Sequence, residues 1–151
     1  MMRINRRTDY AVRVMLALAR RPAGSRISTS AVQEEMLIPR PFLQRIIADL
    51  SKAQLIATFT GPSGGLQLAR PAGEINLLQI WEAIEGRLVL SDCLESPHDC
   101  PLNPLCPVNS RWARLQLGMR RELESARLDE LAAEALEKKE SETQRLGFTA
   151  R

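Results

Sequence analysis

LIATFT and GLQLAR, two largely apolar stretches joined by the tip GPSGG at residues 61–65, constrain this chain more than any other feature. Their composition predicts two short strands, and the glycines permit a tight hairpin between them. What precedes the hairpin decides what it is for. DYAVRVMLALARR carries Ala11, Met15 and Leu18 as a core stripe with Arg13 and Arg20 on the wet face, and Thr8 can cap that helix. RPAGSR ends it. Ser28 or Ser30 then opens a shorter helix, with Ser30 and Gln33 at capping-box spacing and Val32 and Met36 on one side, which stops before Pro39. PRPFLQRIIADLSKAQ next puts Pro41 near a first helical turn and Leu43, Ile46 or Ile47, and Leu50 at helical spacing; Arg40, Gln44 and Arg45 lie on the other side. A short helix, a tight connection and a second helix displaying Arg and Gln is the helix-turn-helix pattern, whose second helix lies in the major groove. A hairpin directly after it is a wing.

Charge agrees with that assignment. Residues 1–70 hold 11 Lys or Arg against 4 acids, and residues 71–151 hold 10 against 14, so the two halves face different partners. Ten of the eleven early bases are Arg, whose planar fork suits phosphates and guanine edges. The longest apolar run, Val14 to Ala19, is too short to cross a bilayer, and Asp9 and Arg13 interrupt any signal-peptide pattern, so a cytoplasmic protein with no membrane association is expected.

Beyond Pro71, Asn76 can cap LLQIWEAIE, where Leu77, Ile80, Trp81 and Ile84 make a stripe and Gly86 supplies the stop. Asn109 can cap a long helix on which Trp112, Leu115, Met119, Leu123 and Ala126 recur at three- and four-residue steps, a seam suited to a partner helix and read here as a homodimer interface. Leu128, Leu131, Ala132 and Ala135 continue as a further turn or a separate short helix, and the tail SETQRLGFTAR, after a charged EKKE, is expected to be disordered.

Between these helices, CLESPHDCPLNPLC holds every cysteine of the chain: Cys93, Cys100 and Cys106, with six and then five residues between them and Pro97, Pro101 and Pro104 interspersed. Three thiols cannot all pair as disulfides, and clustered cysteines in a reducing compartment are more often metal-binding or catalytic. Zinc and iron-sulfur clusters both take thiolates. The spacing lacks the close pairs usual for zinc and suits a larger object. His98 could complete a three-Cys, one-His zinc site, although a lone loop histidine is more often simply solvated. A catalytic cysteine needs a base and an orienting group, and one His leaves little to build them with, so the chain is not expected to be an enzyme. A structural zinc, a thiol redox switch and a small iron-sulfur electron carrier stay open on the residues alone.

MRINRRTDYAVRVMLALA, the helix PFLQRIIADLSKAQLI, the wing GPSGGLQLARP, INLLQIWEAIEG and the three-Cys loop together resemble the Rrf-two family of bacterial winged-helix regulators over residues 2 to about 136. The resemblance implies a mainly α, winged helix-turn-helix fold with a two-stranded wing, a cysteine loop and a long C-terminal dimerisation helix. It implies a homodimeric transcription regulator, a repressor in the expected case, acting on double-stranded operator DNA under control of an iron-sulfur cluster, [2Fe-2S] or [4Fe-4S], that senses nitric oxide, iron or redox state. Cys93, Cys100 and Cys106 would bind the cluster. IscR-like members carry a His three residues after the last Cys, where this chain has Asn109, a poor iron ligand; NsrR-like members draw an acid near the start of the partner subunit's first helix, which points to Asp9 as fourth ligand.

Relatives also commonly place an Arg just before the glycine-rich tip of the wing, where this chain has Thr60. Major-groove contact would then rest on the recognition helix, and the expected DNA-facing set is Ser28, Arg40, Pro41, Gln44 and Arg45 with Thr60 and Ser63 of the wing. The chain divides accordingly into a winged helix-turn-helix domain with its supporting helix (1–86), a cluster-binding loop (87–108), a dimerisation helix region (109–138) and a tail (139–151).

Overall fold

The computed structural model describes residues 4–148. It is mainly helical, with a two-stranded sheet. Helix α1, Arg6–Ala19, begins two residues before Thr8, because the Asn5 side chain accepts from the Thr8 backbone N–H at 3.0 Å and so takes the cap. Thr8, expected as the cap, is instead buried inside the helix, its hydroxyl donating to Glu85. Ala11, Val14, Met15, Ala17 and Leu18 bury the inner face of α1.

Helix α2, Thr29–Met36, is capped by Ser28, whose hydroxyl accepts from the Ala31 N–H at 3.1 Å; the Ser30–Gln33 spacing is not used as a box. Leu37 turns the chain at φ 53°, and α3, Arg40–Lys52, starts with Pro41 in its first turn. Leu43, Ile46 and Leu50 are fully buried, which leaves Arg40, Gln44 and Arg45 on the solvent side.

The wing is β1, Ile56–Phe59, paired antiparallel with β2, Gly65–Leu68. A third rung is added from outside it. Ile27, just before α2, exchanges backbone hydrogen bonds with Leu66 at 3.0 and 2.8 Å, tying the helix-turn-helix to the hairpin. Gly65 is needed there: its φ is +138°, and a Cβ would stand 2.4 Å from the Ile27 carbonyl oxygen.

After a 3-10 turn at 72–74, α4, Leu77–Glu85, starts on a complete capping box between Asn76 and Gln79. Leu78, Ile80 and Ile84 are buried, while Trp81, expected in the stripe, is only half-buried. Because α4 packs against α1 and α3 and also against α6, its apolar surface is wider than one stripe. The cysteine loop contains a single turn of helix, α5 (Asp92–Glu95), and a 3-10 turn at 97–99.

Helix α6, Asn109–Ser125, is capped by Val108 without a side-chain bond; Asn109, expected as the cap, is its first residue and points its amide at Cys93. The chain then rejoins the winged unit. Leu77 N–H donates to the Ala126 carbonyl and Leu128 N–H to the Ile75 carbonyl, around a bridge between Asn76 and Arg127. Leu128 and Ala132 open α7, Leu128–Phe148, and are buried against the common core. α7 is a separate helix and not a short one: residues 139–148, expected to be disordered, continue it, and 149–151 lie outside the described residues.

Candidate functional site

Two surfaces stand out. The first lies between α2 and α3, a concavity of about 600 Å³ lined by Thr29, Ser30, Gln33, Arg40, Leu43, Gln44 and Ile47. Of the expected DNA-facing residues, Arg40 and Gln44 line it, Ser28 caps the helix forming one wall, Pro41 is exposed in the first turn of α3, and Arg45 is exposed on the same helix. Thr29, Ser30 and Gln33 are not among the expected DNA-facing residues, Ser30 and Gln33 matching a capping-box spacing that the helix does not use. Only the packing of α2 against its neighbour brings them to the same hollow.

The arginines of the first seventy residues separate into two groups. Arg7 pairs with Asp49 of α3 at 2.7 Å, and Arg20 and Arg21 both reach Glu35 of α2, binding elements of the domain to one another, while Arg13 pairs within α1 with Asp9 at 2.7 Å. Arg13 and Arg20, expected on an open wet face, are therefore engaged. The other described arginines of this stretch, Arg6, Arg26, Arg40, Arg45 and Arg70, have no acidic partner within ion-pair distance, and of these Arg26, Arg40 and Arg45 are exposed on the helix-turn-helix and beside the wing, which leaves their charge free for an external anion.

Thr60 and Ser63 are exposed at the tip of the wing. Arg26 joins them from outside the hairpin. Its guanidinium carbon lies 3.6 Å from the centroid of the Phe59 ring, and its Nη1 donates to the Ser63 carbonyl at 3.4 Å.

The second surface is the cysteine loop. All three thiols are free and half-buried. Cys93 sits in α5 with the Ser91 hydroxyl at 3.3 Å and the Asn109 amide nitrogen at 3.6 Å from its sulfur. Cys93 and Cys100 line a cleft of about 690 Å³ together with Ser91, Asp92, Glu95, Ser96 and Asp99, whereas Cys106 lies outside it, two residues before the cap of α6. Among the described residues no three Cys, His, Asp or Glu side chains are grouped closely enough to hold a metal ion as they stand. The donor chemistry fits a thiolate-bound metal group, which would need the three thiols to draw together.

Asp9, expected as a further ligand, stands exposed in the first turn of α1 and bridges to Arg13. Arg13 Nη1 also donates to the Met36 carbonyl at the end of α2, at 3.4 Å, and its guanidinium lies 5.3 Å from the Tyr10 ring. Tyr10 meets Phe42 of α3 edge to face, with centroids 5.7 Å apart. Asp9 is thus connected to both helices of the helix-turn-helix.

No helix of the described residues is long and apolar enough to cross a membrane. Comparison with known proteins gives the surfaces a context. Residues 4–134 match the family model Rrf2, described as an iron-dependent transcriptional regulator. The HTH-type transcriptional regulator NsrR of Oceanobacillus iheyensis is 27% identical over 131 residues, covering 86% of this chain and 89% of that one. IscR of T. potens superposes with a TM-score of 0.71 at 24% identity, over 89% of this chain and 88% of its own. CymR of B. subtilis, described as the global cysteine regulator, does so with a TM-score of 0.71 at 21% identity, over 88% and 98%. These last two likenesses carry the winged-helix fold. With its helix-turn-helix, its wing and a family match over nearly its whole length, the chain belongs to the Rrf2 family of DNA-binding transcription regulators and is not an enzyme.

Proposed function

We propose that this chain is a homodimeric repressor whose hold on operator DNA is set by an iron-sulfur cluster, [2Fe-2S] or [4Fe-4S], bound by Cys93, Cys100 and Cys106. The observation that carries the reading is the confinement of three free, half-buried thiols to the segment leading into α6, with two of them on one cleft. Prolines between them limit the entropy lost when the sulfurs converge. When bound, the cluster supplies a redox-active centre reactive towards oxidants and nitric oxide. The protein's part is to gather the thiolates and to translate their state to α3.

Asp9 of the partner subunit is the candidate fourth ligand. Drawing that carboxylate away from Arg13 would release a guanidinium that also holds the Met36 carbonyl, next to the turn between α2 and α3. Cluster state and DNA affinity would then be coupled reciprocally, as linkage demands. The dimer is read from α6: Trp112 and Leu115 are 44% and 47% exposed, at a spacing a second copy of the helix could cover.

Anaerobic purification followed by an absorption spectrum, by iron, sulfide and zinc analysis, and by gel-shift titration of the wild type and of Cys93→Ala, Cys100→Ala and Cys106→Ala tests the proposal. A coloured protein with iron and sulfide, lost in each variant together with signal-dependent DNA binding, is the expected result. A second reading, in which Cys93 and Cys100 close to a disulfide, is favoured by their shared cleft; a colourless protein whose DNA binding follows thiol oxidation would select it. Zinc without iron would select a structural site.

A further inference from the structure

We infer that Arg26 is the phosphate-binding residue of the wing, although it lies outside the hairpin. The strands and tip, residues 56–68, contain no Lys or Arg, so the wing brings no cation of its own to a polyanion. Arg26 repairs that lack. The Ile27–Leu66 bridge fixes the segment beside β2, Gly65 lets the two backbones approach, the Phe59 ring lies under the guanidinium at 3.6 Å, and Ser63 accepts one of its N–H groups.

A guanidinium has five N–H donors in a rigid plane, and stacking one face on a ring leaves the edges available. Arg26 is exposed, has no acidic partner among the described residues, and is already ordered, so a phosphate oxygen meets a donor set that loses little rotamer freedom on contact. The same loop runs into Ser28, the cap of α2, so the contact spans the groove edge between the wing and the helix-turn-helix.

The inference rests on the DNA-binding reading of the wing, and the experiment separates the two. Fluorescence anisotropy of the full chain is measured from 50 to 200 mM salt on a duplex enriched from a random-sequence pool by the wild type, and on a shuffled duplex. Each phosphate contact contributes about 0.9 to the logarithmic salt slope and roughly half a decade of affinity over that range. Arg26→Ala should therefore lower the slope by about 0.9 per subunit, shrinking the salt-induced loss of affinity between 50 and 200 mM roughly tenfold per dimer, and weaken binding on both duplexes alike. Arg26→Lys should keep the slope. Phe59→Leu should weaken binding less than Arg26→Ala and add nothing to it in the double variant, because the ring acts through the guanidinium it supports.

An unchanged slope and affinity in Arg26→Ala, while Arg40→Ala still weakens binding, overturns the inference and leaves Arg26 a clasp that only steadies the wing. A loss confined to the enriched duplex with an unchanged slope assigns a base contact and overturns the phosphate assignment. Additive effects of Arg26→Ala and Phe59→Leu overturn the role given to the ring. Failure of the wild type to enrich any duplex from the pool overturns the DNA-binding reading itself.

Discussion

The winged unit of residues 6–85 and the segment from the cysteine loop through α6 differ in how far one chain completes them. In the first, α1 buries five apolar side chains, α3 buries three at zero exposure, and the wing contributes Ile56 and Leu66 to the same core. In the second, the seventeen residues of α6 include none that is buried, and Trp112, Leu115 and Leu117 keep nearly half their surface exposed. A helix gains most of its stability from packing its apolar face, so the first region is finished within one chain and the second presents a face that something else must cover. Stability therefore belongs to the winged unit, and in the proposed function responsiveness would belong to the part that carries the thiols.

The hardest test of that contrast is a pair of leucines. Leu43→Ala, at a fully buried position of α3, should lower unfolding free energy by about 2–5 kcal/mol in urea titration. Leu115→Glu should leave the melting of the winged unit in place and convert the proposed dimer to monomer in sedimentation at micromolar concentration. A reversal of these two outcomes would mean that α6 is part of the core. Arg40→Ala should cost about 1–3 kcal/mol in operator binding, read by anisotropy, with the thermal transition unchanged.

Cys93→Ala sharpens the comparison from the other side. Removing a half-buried thiol from the loop should change the stability of the metal-free protein by less than about 0.5 kcal/mol in thermal unfolding while abolishing metal retention. The smallest effect belongs to the first turn of α7. There the hydrogen bond from Arg127 holds the Asp129 carboxyl below the usual carboxylate range. A folded-state value below the unfolded one means that its stabilisation is present at neutral pH and is lost as pH falls through the lowered value. Asp129→Asn should remove that slight acid sensitivity, measured as the difference in melting temperature between neutral and acidic buffer.

The wing and the recognition helix were legible because their signals are local. Leu43, Ile46 and Leu50 repeat at helical spacing, and the glycines mark the turn. Thr8 does not cap α1 because Asn5, three residues earlier, takes that position, and the Thr8 hydroxyl is claimed by Glu85, 77 positions further along the chain, which no capping rule sees. Asn109 was misread for a related reason: Val108 holds the cap position, and the Asn109 amide is directed towards Cys93. Trp81 was placed in the core by periodicity, yet α4 lies between the winged unit and α6 and distributes its apolar side chains to both. Arg26 carried no local signal at all, since Phe59 and Ser63 reach it only after the hairpin has folded back on the segment before α2.

The bridge between Asn76 and Arg127, described as part of the fold, makes α6 a lever with its fulcrum inside the DNA-binding unit. The backbone on either side of that bridge is stitched to the start of α4, and Leu128 is sunk in the core beside it. Nearer the middle, Arg120 grips Glu82 at 2.8 Å and Gln116 holds the Leu90 N–H at 2.9 Å. The far end of α6 cannot swing freely when its beginning, next to Cys106, is pushed. A displacement of the helix would be passed to α4, which packs directly against α1 and α3.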